Sequence, residues 1–115
     1  MIGFLSGLVK SLRGQEVVIL VGGVGYTVSV PASQTPTIGK NIDLFIHTHV
    51  REDTLALYGF KDEAALDLFE NLISVSGIGP KSALAIVSAG SAEVVKNAIS
   101  TTNLNFLNAV SGIGK

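Results

Sequence analysis

Apolar residues change their spacing once along this chain, near Phe60, and that break constrains the fold more than any other feature. Before it they recur every second residue; after Asp62 they recur at helical spacing. A β unit followed by an α unit is therefore expected, rather than alternating βα crossovers. With 115 residues, the chain can form one ordinary domain or two very small ones. The expected boundary lies between residues 61 and 62, which gives a barrel over 1–61 and a helical domain over 62–115.

The first part reads as five short strands. Ile2 to Leu12 forms the first, with Gly7 inserted as a bulge or a sharp bend. Val17 to Val21 is a β-branched run closed by the turn signal Gly22-Gly23. Val24, Tyr26, Val28 and Val30 then alternate with small or polar residues until Pro31 ends the strand. Ile42, Leu44, Ile46, Thr48 and Val50 share one face of a fourth strand, and Thr54 to Phe60 forms a fifth. Five strands in about sixty residues, with an early glycine bend, suit a small closed barrel of the OB type. The fold class is thus α+β.

In the second part, Asp62 caps a helix expected to bury Leu66, Phe69 and Ile73, with Glu63 and Asp67 near its positive end. Val75-Ser76-Gly77-Ile78-Gly79-Pro80-Lys81 follows, with Pro80 in the first turn of a helix running through Ser88. Gly90 stops that helix, Ser91 caps another, and a short helix over 103–109 leads to Val110-Ser111-Gly112-Ile113-Gly114-Lys115. A helix, hairpin and helix therefore repeat, and the second copy breaks off where its last helix should begin. This pattern predicts a piece of a longer protein.

Each Gly-Ile-Gly hairpin has the makings of a phosphate site. Glycine allows a tight turn, expected to use φ > 0, and leaves no Cβ between a phosphate and the backbone N–H groups. The following helix adds its dipole to those donors. Ile78 and Ile113 should anchor the hairpins inward, with Lys81 and Lys115 beside the anion. An ordinary helix–helix turn with a glycine C-cap is the competing explanation, and the repeated Val-Ser-Gly-Ile-Gly core counts against it. A P-loop is excluded because Pro80 and Val75 stand where it needs glycines, and a dinucleotide fingerprint because Ser82 replaces its third glycine.

Composition narrows the mode of binding. Eight basic residues against nine acidic ones give a net charge of −1, so bulk attraction to nucleic acid is not the mechanism. Oriented dipoles would have to replace it. Charged residues make up 15% of the chain, below the usual ~25%, which favours surface buried in an oligomer or a more polar parent chain. The absence of cysteine excludes disulfides, Cys-based zinc sites and thiol nucleophiles. No apolar run approaches the ~20 residues of a membrane span, and the start Met1-Ile2-Gly3-Phe4-Leu5 lacks a basic secretory region. A soluble cytoplasmic protein without membrane association is expected.

Five segments in register carry a resemblance: Met1-Ile2-Gly3, Gly22-Gly23-Val24-Gly25-Tyr26, Arg51-Glu52-Asp53, Leu57-Tyr58-Gly59-Phe60, and Gly77-Ile78-Gly79-Pro80-Lys81 with Ala83-Leu84-Ala85. Over its whole length the chain resembles the bacterial RuvA family of Holliday-junction-binding proteins. The resemblance implies a non-enzymatic homotetramer that holds a four-way DNA junction open, independent of sequence, for branch migration in recombination and repair. It implies an N-terminal OB barrel and two helix-hairpin-helix motifs. It also implies a mobile C-terminal domain, absent from this sequence, through which the family engages the hexameric ATPase RuvB; a RuvC-type resolvase is a further implied partner. Gly77, Ile78, Gly79, Lys81 and Ser82, with Gly112, Ile113, Gly114 and Lys115, would grip DNA through the minor-groove backbone. Glu52 and Asp53 would form an acidic pin at the centre of the tetramer, repelling phosphates there so that DNA can slide. No catalytic residue, cofactor or metal is implied.

Other readings of the same residues stay in view. The acidic pair also suits a solvated turn, and a carboxylate hydrolase would need a raised pKa or metal ligands that the sequence does not supply. His47 and His49, at i and i+2 on one strand, read as ordinary surface residues rather than a metal pair. Tyr26 and Tyr58 read as barrel or interface packing. Lys10, Arg13, Lys40, Lys61 and Lys96 are scattered. A protein-interaction module without junction specificity, or part of a nuclease or glycosylase using the same hairpin, are the alternatives to junction binding.

Overall fold

A computed structural model describes residues 1–89. Five strands, β1 (Phe4–Arg13), β2 (Glu16–Val21), β3 (Val24–Ser29), β4 (Asn41–Val50) and β5 (Leu55–Phe60), close into a barrel in the order β1-β2-β3-β5-β4. Every pairing is antiparallel except β3 with β5, where Val28 faces Leu57 and Ser29 faces Tyr58. A 3-10 turn, Ala32–Gln34, bridges β3 towards β4. Two helices follow, α1 (Glu63–Ile73) and α2 (Pro80–Ala89).

Closure depends on β1, which is long enough to pair with β4 at one end and β2 at the other. Leu8 sits at the handover, opposite Asn41 on one side and Leu20 on the other. Gly7 precedes it because a Cβ there would lie 2.4 Å from the Leu20 carbonyl oxygen. Its role is close backbone approach at a bend. The register irregularity falls between Val9 and Ser11, not at Gly7. Gly22 and Gly23, with φ of 56° and 85°, make a two-residue turn of the type that matches strand twist.

Alternate residues fill the barrel: Leu5, Val9, Val17, Ile19, Val28, Val30, Leu44, Ile46 and Leu57 are buried. Gly59 also faces this core, and a Cβ on it would come within 2.7 Å of Val28 and 2.9 Å of Leu44. A second core collects Phe60 with Ala65, Leu68, Phe69 and Leu72 of α1, Ile78 of the turn, and Ala83, Leu84, Ile86 and Val87 of α2. The last barrel residue is therefore the first residue of the helical core.

Asp62 caps α1 as its sequence position suggests, its carboxylate accepting from the Ala65 N–H at 2.8 Å. The buried stripe of α1 differs from expectation. Ala65, Leu68, Phe69 and Leu72 are buried at i, i+3, i+4 and i+7, while Leu66 and Ile73 flank them, partly buried. Barrel side chains cause the rotation. Phe69 lies on Phe60 (ring centroids 5.0 Å), Tyr58 (5.1 Å) and His47 (5.5 Å). Two hydrogen bonds strengthen the joint: Ser33 N–H to Ser88 Oγ at 2.9 Å, and Lys61 N–H to Gln34 Oε1 at 3.0 Å.

Candidate nucleic-acid interface

The turn between α1 and α2 is built by successive short-range hydrogen bonds. Val75 N–H donates to Leu72 O at 3.0 Å, and Ile78 N–H to Val75 O at 3.1 Å. Gly77 takes φ +90°, which permits the reversal. Ile78 turns inward and is only 7% exposed, so it pins the loop to the helical core. The Gly79 carbonyl accepts from the Ala83 N–H at 3.0 Å and so begins α2. Pro80 supplies no N–H where none is needed.

A row of free donors results. The N–H groups of Gly77, Gly79, Lys81 and Ser82 have no acceptor among the described residues. Unlike Gly77, Gly79 lies outside the positive-φ region, contrary to the expectation for both glycines. A Cβ on Gly79 would meet nothing within 4 Å. Neither backbone strain nor packing within the described residues therefore requires glycine there. Lys81 is exposed at the head of α2 and Ser82 is half-buried. Gly112, Ile113, Gly114 and Lys115, with the helices expected over 91–109, lie outside the described residues.

Glu52 and Asp53 form the exposed tip of the β4–β5 hairpin. Arg51 and Thr54 close it by exchanging backbone hydrogen bonds of 2.8 and 3.4 Å. Val50 and Leu55, paired below the tip, are 57% and 68% exposed.

His47 and His49 are not the plain surface residues that their spacing suggests. His47 Nδ1 lies 2.8 Å from Glu70 Oε2, joining β4 to α1. His49 Nε2 accepts from Arg51 Nε at 3.1 Å, and its ring packs against Tyr58 at 6.2 Å. Burial, then the charges of Arg51 and His47, lowers the His49 pKa below its ordinary 6.5. Burial raises that of Tyr58, keeping it a neutral phenol. No local sequence signal marks this seam, because Glu70 and Phe69, which define it, come from α1. No cluster among the described residues has the ligands to hold a metal ion, and no described helix is long and apolar enough to cross a membrane.

A cleft of about 410 Å³ separates the β4–β5 hairpin from the head of α2; His49, Arg51 and Tyr58 line one side, and Gly79, Lys81 and Ser82 the other. A larger cleft of about 790 Å³ continues along α2 past Leu84 and Ser88 towards Gln15 and Glu16.

Residues 1–59 match the family model described as RuvA N terminal domain, and residues 69–115 match a SAM-like helix-hairpin-helix tandem. The chain is similar to the Holliday junction branch migration complex subunit RuvA of Herpetosiphon aurantiacus, 47% identical over 118 residues, covering all of this chain and 60% of that protein. It is 43% identical over 111 residues to the protein of the same name from Acholeplasma laidlawii, covering 96% of this chain and 60% of the relative. The match to the corresponding protein of Dehalococcoides mccartyi is 43% over 118 residues, covering 100% and 61%. The chain thus spans about 60% of the length of these relatives.

Proposed function

The chain belongs to the RuvA family, and on that premise we propose that it is a cytoplasmic, non-enzymatic DNA-binding subunit that holds four-way junctions open for branch migration. The observation that carries this reading is the open turn at Gly77–Ser82. Four backbone N–H groups without a partner among the described residues, an exposed Lys81 and a glycine that no described residue requires stand together. Such a turn holds a phosphate without reading a base. Gly112, Ile113, Gly114 and Lys115 are proposed as the second grip, in a helical domain beginning at residue 62.

One grip is weak, so structural selectivity has to come from number. A homotetramer presenting its grips to four arms gains avidity only on a junction. The exposed Val50–Leu55 pair supports assembly, since apolar surface beside an acidic tip suits burial against neighbouring copies. Glu52 and Asp53 would then gather near the crossover and repel phosphates. The motor partner is proposed to be a RuvB-type hexameric ATPase recruited by a region beyond this sequence, with a RuvC-type resolvase acting on the same complex.

A gel shift comparing a four-way junction with a linear duplex of equal length tests the reading. Preference for the junction is expected, and equal binding to both, or to neither, overturns it.

A further inference from the structure

Arg51 stands apart from the other basic residues of the described chain. It and Lys81 come from different structural units, yet they line the same cleft. That cleft has no carboxylate among its lining residues, whereas the larger neighbouring cleft contains Glu16. Arg13, by contrast, shares a smaller groove with Glu16. Neither Arg51 nor Lys81 makes an ion pair among the described residues. Arg51 is also oriented: its Nε donates to His49 Nε2 at 3.1 Å, and its Nη donors have no acceptor among the described residues. A guanidinium fixed through one nitrogen is pre-organised to engage a phosphate with the rest.

We propose that Arg51 is a phosphodiester-binding residue, aimed by His49 into the cleft that it shares with Lys81, so that barrel and hairpin grip one DNA backbone together. The proposal rests on the DNA-binding reading above and extends it from the helical unit to the barrel. It also divides the β4–β5 turn by charge. The root of the turn attracts the backbone, and the two-carboxylate tip, which does not line the cleft, repels it. Strand and arm would therefore be sorted over three consecutive residues.

The test measures junction affinity across a salt series for the unmodified chain, R51Q, K81Q and the double variant. R51Q is expected to bind about tenfold more weakly, the scale of one charge-assisted hydrogen bond. Its dependence of log K on log salt should be shallower by about 0.9 for each phosphate that is no longer neutralised. The double variant should lose less than the product of the single losses, because the two side chains share a phosphate neighbourhood. Phenylglyoxal footprinting of the unmodified chain provides a readout that needs no variant: junction DNA should protect Arg51 and leave Arg13 reactive. Unchanged affinity and slope in R51Q, or an Arg51 as reactive in the saturated complex as in the free chain, overturns the proposal. If the unmodified chain binds neither junction nor duplex, the DNA-binding reading falls with it.

Discussion

Two glycines two residues apart in one turn serve different ends. Gly77 sits at φ +90°, where an alanine is strained, so Gly77→Ala should cost about 1 kcal/mol or more in urea unfolding. Gly79 has ordinary φ and open space around its Cα. Gly79→Ala should change stability by less than about 1 kcal/mol yet weaken DNA binding, because its methyl group would stand before the free N–H groups. A Gly79→Ala chain that binds DNA normally would remove the reason for glycine there. His49 gives a second expectation, with a defined sign. Its native pKa is lowered, so the native ring resists the proton that the unfolded ring accepts near 6.5. The stabilisation is complete above about 6.5 and is lost as pH falls through the lower native value. Protonation also removes the acceptor that holds Arg51 and adds charge beside Arg51 and His47; Lys81 lies across the cleft and Glu70 behind His47. Urea midpoints between about pH 7.5 and 5 should fall less for His49→Gln than for the unmodified chain.

The joint between β4–β5 and α1 is the element on which the site's geometry depends. Phe69 is fully buried and touches three rings contributed by the barrel. Phe69→Ala should therefore cost about 3–5 kcal/mol in denaturant unfolding, and the cleft between Arg51 and Lys81 should no longer be fixed. A smaller cost would mean that barrel and helices are only loosely joined. On the barrel side, the Gly59 Cα faces Val28 and Leu44 so closely that Gly59→Ala should cost about 1–3 kcal/mol through overpacking. These two sites also show what the sequence could and could not reveal. The five strands were legible because alternation and turn glycines are local signals, and the Asp62 cap was legible for the same reason. The buried stripe of α1 was not, since Phe60, Tyr58 and His47 choose it from another element. The 3-10 turn at Ala32–Gln34 holds its place through Ser88 and Lys61, 55 and 27 residues away from their partners, and gave no local signal. Arg51 was visible as part of a motif, but the cleft that gives it a role exists only after the chain has folded.

At the scale of the whole molecule, a net charge of −1 leaves little long-range attraction to DNA, so on the proposed reading affinity would be built from short-range donors and from the number of subunits engaged. The acidic tip then matters through position. In the proposed tetramer, eight carboxylates, two from each of four copies, would be concentrated where four arms meet, while each arm would be held farther out by a hairpin and by the proposed Arg51 grip. Repulsion at that centre with attraction along the arms would keep strands separated without locking them in register. Combined Glu52→Gln and Asp53→Asn substitution removes the repulsion and leaves every proposed grip in place. Junction affinity should rise by several-fold at low salt, with the gain shrinking as added salt screens the centre over a Debye length of ~10 Å at 0.1 M. Affinity for a linear duplex, which presents no crossover, should stay nearly constant. The comparison is informative because the tip is exposed and its side chains support no part of either core, so a change in binding is not a change in folding. Equal gains on junction and duplex would place the tip along an arm instead of at the crossover. No gain on either would remove the acidic turn from the binding surface altogether.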